Sequence, residues 1–160
     1  MKIILFPILV LSCLIMNAQY DNEITTEFPF GKAHPEAPQQ LKDFEPMIGI
    51  CDCKSESRKP NGTWNEAVDM EWKFKYIMNG WAVQDETLKA DGKHSGSIRQ
   101  FNQDSLKWYV HYYASNTPVQ QLPAWVGTKT DDGDIVLYRE QKAPNGLDGF
   151  YRLTFYDISK

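Results

Sequence analysis

The sequence has few of the residues that most often carry metal and redox chemistry. Its 160 residues include three cysteines and three histidines, and the histidines are widely scattered. Cys51 and Cys53 would need further ligands to hold a metal ion, so we expect no metal site and no cofactor. The Gly-x-Ser-x-Gly, His-Glu-x-x-His and phosphate-loop signatures are also missing. The sequence therefore identifies no catalytic residue.

Positive charge and long apolar runs are scarce as well. Lysine and arginine number 17 against 21 acidic residues, and the net charge of −4 argues against a nucleic-acid partner. The longest apolar run lies at the N-terminus, where it is short for a membrane helix and contains Pro7. A bilayer-spanning helix needs roughly 20 apolar residues, so we do not expect the chain to span a membrane.

That N-terminal run, MKIILFPILVLSCLIMNAQ, is typical of a secretory signal peptide. Lys2 supplies the positive start, an apolar stretch follows, and Ala18 is a small residue at a plausible cleavage edge. We expect residues 1–18 to be removed and the protein to be secreted or periplasmic. A lipid anchor on Cys13 is the alternative, although the preceding residues VLS fit a lipobox poorly.

The segment after the signal divides into a lead-in and a single domain. Residues 19–33 are polar and without periodicity, which predicts a flexible lead-in. Residues 34–160 form the predicted domain, and it begins with a short helix. Leu41 and Phe44 lie three apart on one side of this helix, and Pro46 is expected to end it. We interpret the helix as a lid or plug of the barrel.

From Gly49 onward the pattern has a period of two, interrupted by turn signals. These are KPNG, NG, ADGK, NQDS, SNTP, DDG and APNGLDG, spaced as in an all-β, up-and-down meander of about eight strands. In the second strand alternate positions are apolar: Val68, Met70, Trp72, Phe74, Tyr76 and Met78. At about 3.3 Å per residue this strand would extend roughly 36 Å, as expected when an antiparallel sheet coils into a barrel.

The pair Asn79-Gly80 is typical of a two-residue type I′ hairpin turn. Such a turn sets three cross-strand neighbours on one face: Met78 with Trp81, Tyr76 with Val83, and Phe74 with Asp85. Because side chains alternate along a strand, this register carries the Asp85 carboxylate onto the apolar inner face.

A second charge is predicted to point inward on the following hairpin. Pairing Phe101 with Leu106 across a four-residue loop places Arg99 beside Trp108, on the face that also holds Val110 and Tyr112. An unpaired charge on an apolar face is costly, so Asp85 and Arg99 are candidates for a mutual pair or a polar ligand contact. A structural salt bridge, a binding site, and general acid or base chemistry are the three alternatives.

Cys51 and Cys53 share one face of the first strand. Their Cα atoms are expected about 6.6 Å apart, close to the limit for an unstrained disulfide, so we do not expect them to bridge each other. Signal cleavage would leave no third cysteine in the chain.

Five segments in order, WKFKYIMNGWAVQDE, GSIRQF, DSLKWYVHYY, GDIVLYRE and FYRLTFYDIS, resemble an uncharacterised family of secreted lipocalin-like β-barrels from Gram-negative bacteria. The resemblance implies a calycin-type barrel with an inner cavity in a domain of unknown function. The chain departs from this pattern at Gly49-Ile50-Cys51, where such barrels often have Gly-x-Trp. Similar proteins also continue past FYDIS, so we expect the barrel to lack its terminal strands and to self-associate through the last strand.

The predicted function is the binding of a small apolar or amphipathic molecule inside the barrel. Cavities with apolar walls and few convergent polar groups are the usual design of ligand sites. An enzyme that uses Asp85 and Arg99, and a structural or interaction module of the cell envelope, are the alternatives. The predicted ligand contacts are Asp85, Arg99, Trp72, Phe74, Tyr76, Trp81, Trp108 and Tyr112.

Overall fold

The computed structural model describes residues 20–117, 121–142 and 145–158, so the predicted signal peptide and Cys13 lie outside the described residues. One 3-10 helix, η1, precedes eight strands: η1 Gln39–Met47, β1 Gly49–Ser55, β2 Val68–Ile77, β3 Ala82–Lys89, β4 His94–Asn102, β5 Lys107–Ala114, β6 Ala124–Lys129, β7 Ile135–Lys142 and β8 Asp148–Phe155. The all-β prediction is confirmed. Within the described residues, no helix is long and apolar enough to cross a bilayer.

The eight strands form one antiparallel sheet in which each strand pairs with the next along the chain. This up-and-down order is the one predicted from the turn signals. Across the described residues β1 and β8 pair with no strand on their outer sides, so the sheet has two free edges. The predicted lipocalin-like barrel is therefore not confirmed, because a closed barrel has no edge strands.

The β2–β3 hairpin has the predicted register along most of its length. Phe74 lies opposite Asp85, and Tyr76 lies opposite Val83. The predicted inward pairing of Met78 with Trp81 is wrong. Pairing stops at Ile77, Met78 adopts a positive φ of 55°, and Met78 and Trp81 are 55% and 41% exposed in the turn.

The β4–β5 hairpin is shifted by two residues from the predicted register. Phe101 pairs with Trp108, not Leu106, and Arg99 therefore lies opposite Val110. Leu106 belongs to the turn, where it has a φ of 52° and is 63% exposed. A shift of two residues preserves the face on which each side chain lies, so Arg99 still points inward.

Helix η1 packs against the inner face of the sheet through Leu41 and Phe44, which are fully buried. The Phe44 ring contacts Phe74 on β2, Trp108 on β5 and Phe155 on β8, with ring centroids 6.5, 4.9 and 5.6 Å away. Because one side chain reaches strands from both ends of the sheet, the sheet curls around η1. The helix thus fills the interior instead of covering an empty one as a lid.

One further sequence prediction differs from the structure near η1. Pro46 lies inside the helix, which continues to Met47, so it does not end the helix. The segment predicted as a flexible lead-in makes hydrogen bonds to the β2–β3 hairpin. Its Phe30 carbonyl accepts a hydrogen bond from the Tyr76 N–H at 2.8 Å, and the Asn22 N–H donates to the Asn79 side chain at 3.0 Å.

Candidate functional site

A buried ion pair occupies the centre of the curled sheet. Asp85 on β3 and Arg99 on β4 are 5% and 2% exposed. The Arg99 Nη1 donates to the Asp85 Oδ1, which also accepts a hydrogen bond from the Ser97 hydroxyl. The Trp72 indole Nε1 donates to the second carboxylate oxygen at 2.7 Å. The pairing that the sequence left open is therefore present, and both carboxylate oxygens are engaged.

Aromatic rings surround the positive partner of this pair. The Arg99 guanidinium carbon lies 4.8, 5.0 and 5.4 Å from the ring centroids of Phe74, Phe44 and Phe155. Burial lowers the pKa of Arg99 from its ordinary value, while the charge and hydrogen bond of Asp85 act in the opposite direction. A cation within about 6 Å of a ring face is attracted by the ring quadrupole, so the three rings offset part of the desolvation cost.

A cleft of about 460 Å³ separates the two free edges of the sheet. We call it the seam cleft. Its walls come from β1, β2, β8, the end of η1 and the residues just after β8: Pro46, Met47, Ile48, Gly49, Ile50, Cys51, Cys53, Trp72, Phe74, Leu153, Thr154, Phe155, Tyr156, Asp157 and Ile158. The Trp72 ring on β2 and the Phe155 ring on β8 lie 6.1 Å apart and so join these two distant strands through their side chains.

The seam cleft and the ion pair share a wall but have different chemistry. Trp72 and Phe74 line the cleft, while the Trp72 N–H holds Asp85 and the Phe74 ring contacts Arg99. Of the described residues that line the cleft, Asp157 alone has a side chain with a formal charge. The cleft is therefore apolar, and the charged pair lies behind its aromatic wall.

Two thiols stand at the β1 side of the seam cleft. Cys51 is exposed, Cys53 is half-buried, and both are free. The Cys53 thiol donates a hydrogen bond to the Cys51 sulfur at 2.7 Å. Burial raises the pKa of Cys53 to about 11, with further contributions from the hydrogen bond and charge of Cys51 and the charge of Asp52.

The structure divides the predicted ligand contacts into separate groups. Trp72 and Phe74 line the cleft, whereas Tyr76 and Trp108 belong to the buried core. Trp81 and Tyr112 are 41% and 46% exposed and are not among the residues that line the cleft.

Each of the two exposed residues has a local reason for its position. Trp81 belongs to the β2–β3 turn and stacks on His34, with ring centroids 5.2 Å apart. Tyr112 extends beyond the end of β6, whose pairing with β5 stops at His111.

The sequence reasoning missed the cleft residues supplied by η1 and β8. Leu153 and Phe155 alternate in the last strand, and that period of two was the available signal. It predicts an inward face but not the distant strand that this face meets, since β1 and β8 are the two ends of the sheet.

Within the described residues, no group of three or more His, Cys, Asp or Glu is placed to hold a metal ion. Comparison with protein-family models, with curated proteins and with solved structures gives no match for this chain. The resemblance to lipocalin-like barrels therefore stays a prediction from the sequence.

Proposed function

We propose that the protein binds a small apolar or amphipathic molecule in the seam cleft. The observation that carries this proposal is the cleft itself, an apolar cavity of about 460 Å³ between the sheet edges. Ligand sites commonly enclose about 300–1,000 Å³ and have apolar walls with few polar groups. The lipocalin-like architecture and the secreted or periplasmic location expected from the sequence belong to the same proposal.

The charge of the residues that line the cleft also determines which polar end group a ligand can carry. Among the described residues that line the cleft, Asp157 is the one charged residue, and none is a lysine, arginine or histidine. A carboxylate or phosphate at the ligand's end would meet no opposite charge there and would be repelled by Asp157. The preferred ligand therefore has an apolar body and a neutral or cationic end.

Binding is favoured over an enzyme that uses the ion pair. The Asp85 carboxylate already accepts hydrogen bonds on both oxygens, from Arg99, Ser97 and Trp72. A general base needs a lone pair within reach of the substrate proton, and neither Asp85 nor Arg99 lines the cleft. In this proposal the pair fixes the aromatic wall that the ligand touches.

A second candidate, association through the β8 edge, rests on a separate observation. Phe150 and Tyr151 on this edge strand are 61% and 48% exposed, and β8 has no partner on its outer side among the described residues. An exposed apolar edge strand is a template for pairing with another chain. Sedimentation over a range of concentrations tests it: a dimer that Phe150→Lys dissociates supports association, and a monomer at all concentrations contradicts it.

Native mass spectrometry with matched amphiphiles tests the binding proposal. Dodecylamine and dodecanoate have the same chain length and opposite charges at neutral pH. We expect a one-to-one complex with the amine at lower concentrations than with the acid. Failure of both to bind, together with the absence of any extra mass on the protein purified from an extract, would contradict the proposal.

A further inference from the structure

The two thiols of the seam cleft have a geometry that the proposed ligand binding does not use. Cys51 and Cys53 alternate along β1, where they lie opposite Trp72 and Met70 and on the same side of the sheet. Their sulfur atoms are 2.7 Å apart, compared with about 2.05 Å in a disulfide bond. The side chains therefore already point at each other.

The surroundings of the pair favour a change in its bonding. β1 is a free edge that hydrogen-bonds to β2 alone among the described strands, so it has fewer backbone bonds to break than a central strand. Cys51 is exposed, so an external reagent reaches its sulfur directly, whereas Cys53 is half-buried behind it. One thiol is thus open to attack a reagent, and the other stands within reach to complete the exchange.

We propose that Cys51 and Cys53 form a redox-active dithiol, which closes to an intrastrand disulfide by exchange with a low-molecular-weight disulfide such as oxidised glutathione. This inference rests on the positions of the two sulfurs and does not require that the cleft hold a ligand.

The exchange proceeds in two balanced steps. The Cys51 thiolate attacks one sulfur of the reagent disulfide, forms a mixed disulfide and releases the first reagent thiolate. The Cys53 sulfur then attacks the Cys51 sulfur, the mixed disulfide breaks, and the second reagent thiolate leaves. The protons of the two protein thiols end on the two reagent thiols. The protein dithiol is oxidised by two electrons, and the reagent disulfide is reduced to two thiols.

The strand geometry predicts that this disulfide is easily reduced again. Residues two apart in a strand have Cα atoms about 6.6 Å apart, near the upper end of the range for disulfides. A bond formed at that limit is strained, and strained or exposed disulfides have the more oxidising potentials typical of reversible sites. Dithiothreitol should therefore restore both thiols in the folded protein.

The test uses the full chain with Cys13→Ser, which leaves Cys51 and Cys53 as its two cysteines. After incubation with oxidised glutathione, free thiols are blocked with iodoacetamide and the protein is analysed by mass spectrometry. We expect both thiols to disappear together, with the loss of two hydrogens and a fragment that links residues 51 and 53. In the Cys53→Ser variant the reaction should stop at a glutathione adduct on Cys51.

The Cys51→Ser variant provides the matched comparison. Its remaining thiol is half-buried, so its glutathione adduct should form several-fold more slowly than the adduct on Cys51 in the Cys53→Ser variant. Two independent glutathione adducts on the chain with both cysteines, or two thiols that survive the oxidant, would overturn the proposal. Equal rates for the two single-cysteine variants would overturn the assignment of Cys51 as the attacking thiol.

Discussion

The buried ion pair and the seam cleft share three aromatic residues, Trp72, Phe74 and Phe155, and they differ in almost every physical respect. The ion pair is charged, enclosed and hydrogen-bonded on both carboxylate oxygens. The seam cleft is apolar, open between the two edge strands of the described sheet and bordered by free thiols. In this molecule both oxygens of the buried carboxylate are hydrogen-bonded, and the groups left available for a ligand or reagent are at the edge of the sheet.

This contrast changes how the inward charges should be interpreted. A buried carboxylate in a curled sheet is a reasonable candidate for chemistry when its partners are unknown. Once its partners are identified, the same carboxylate is better explained as support for the wall of the cleft. The following predictions test that division, from the largest expected effect to the smallest.

Asp85→Leu should produce the largest loss of stability, because it leaves the Arg99 charge buried without a counterion. We expect the free energy of unfolding to fall by about 3–5 kcal/mol, measured by urea denaturation. The exposed ion pair between Lys54 and Asp69 provides the control. Asp69→Leu should change the free energy by less than about 1 kcal/mol.

The double variant Asp85→Leu, Arg99→Met sharpens that result. Replacing both members of a buried ion pair by apolar residues removes the unpaired charge, so most of the lost stability should return. If the double variant is as unstable as Asp85→Leu alone, the explanation by an uncompensated charge is wrong.

Leu41→Ala tests the core on the η1 side. Leu41 is 1% exposed, and truncation of a buried leucine leaves a cavity that costs about 2–5 kcal/mol. Leu147, which is 66% exposed, is the matched control. Leu147→Ala should change the urea unfolding free energy by no more than about 0.5 kcal/mol. Equal effects at the two positions would contradict the burial of η1.

Trp72→Phe separates the two regions at a residue that they share. The substitution removes the indole N–H that binds Asp85 but keeps an aromatic ring in the cleft wall. Loss of a hydrogen bond to a charged group should lower the free energy of unfolding by about 1–3 kcal/mol. Binding of an apolar probe should persist. Loss of binding without loss of stability would reverse the roles assigned to the two regions.

Tyr76 gives the smallest effect, which appears only at alkaline pH. Burial, with a smaller contribution from the charge of Glu45, raises the pKa of Tyr76 from 10.0 to about 12. The folded state then holds the phenol proton when the unfolded chain has lost it. The contribution to stability is therefore complete below pH 10 and is lost as the pH rises towards 12.

Urea denaturation at two pH values measures this dependence. Between about pH 9 and about pH 11, Tyr76 should account for a decrease of about 1 kcal/mol in the free energy of unfolding. The Tyr76→Phe variant has no phenol at this position to titrate. Over the same pH interval, its free energy of unfolding should therefore decrease by about 1 kcal/mol less than that of the native protein. If the free energy of unfolding decreases equally in the native protein and in Tyr76→Phe, Tyr76 does not contribute to the pH dependence.

The sequence predicted those features that depend on residues near one another in the chain. The Asn79-Gly80 turn and the alternation in β2 together place Asp85 opposite Phe74, and the structure confirms that register. The prediction that Arg99 points inward was also correct, but Val110 lies opposite it instead of the predicted Trp108. The period of two determines the face, whereas the exact partner depends on the turn, which contains Leu106.

The seam cleft could not be predicted in the same way. It forms where β1 meets β8, at opposite ends of the sheet, and no local pattern records how far the sheet curls. Phe44 contacts rings on β2, β5 and β8, and these long-range contacts bring the two edges close to each other. The predicted site residues therefore included two that line the cleft and two that are exposed and do not line it.

Titration with a neutral fluorescent probe, N-phenyl-1-naphthylamine, tests the ligand site most directly. The measurement compares the native protein with Cys51→Trp, which fills the cleft, and Asp52→Trp, which adds the same ring on the opposite face of β1. We predict saturable one-site binding by the native protein and by Asp52→Trp, and at least about tenfold weaker binding by Cys51→Trp, or about 1.4 kcal/mol. Equal binding by all three proteins would contradict a ligand site in the seam cleft.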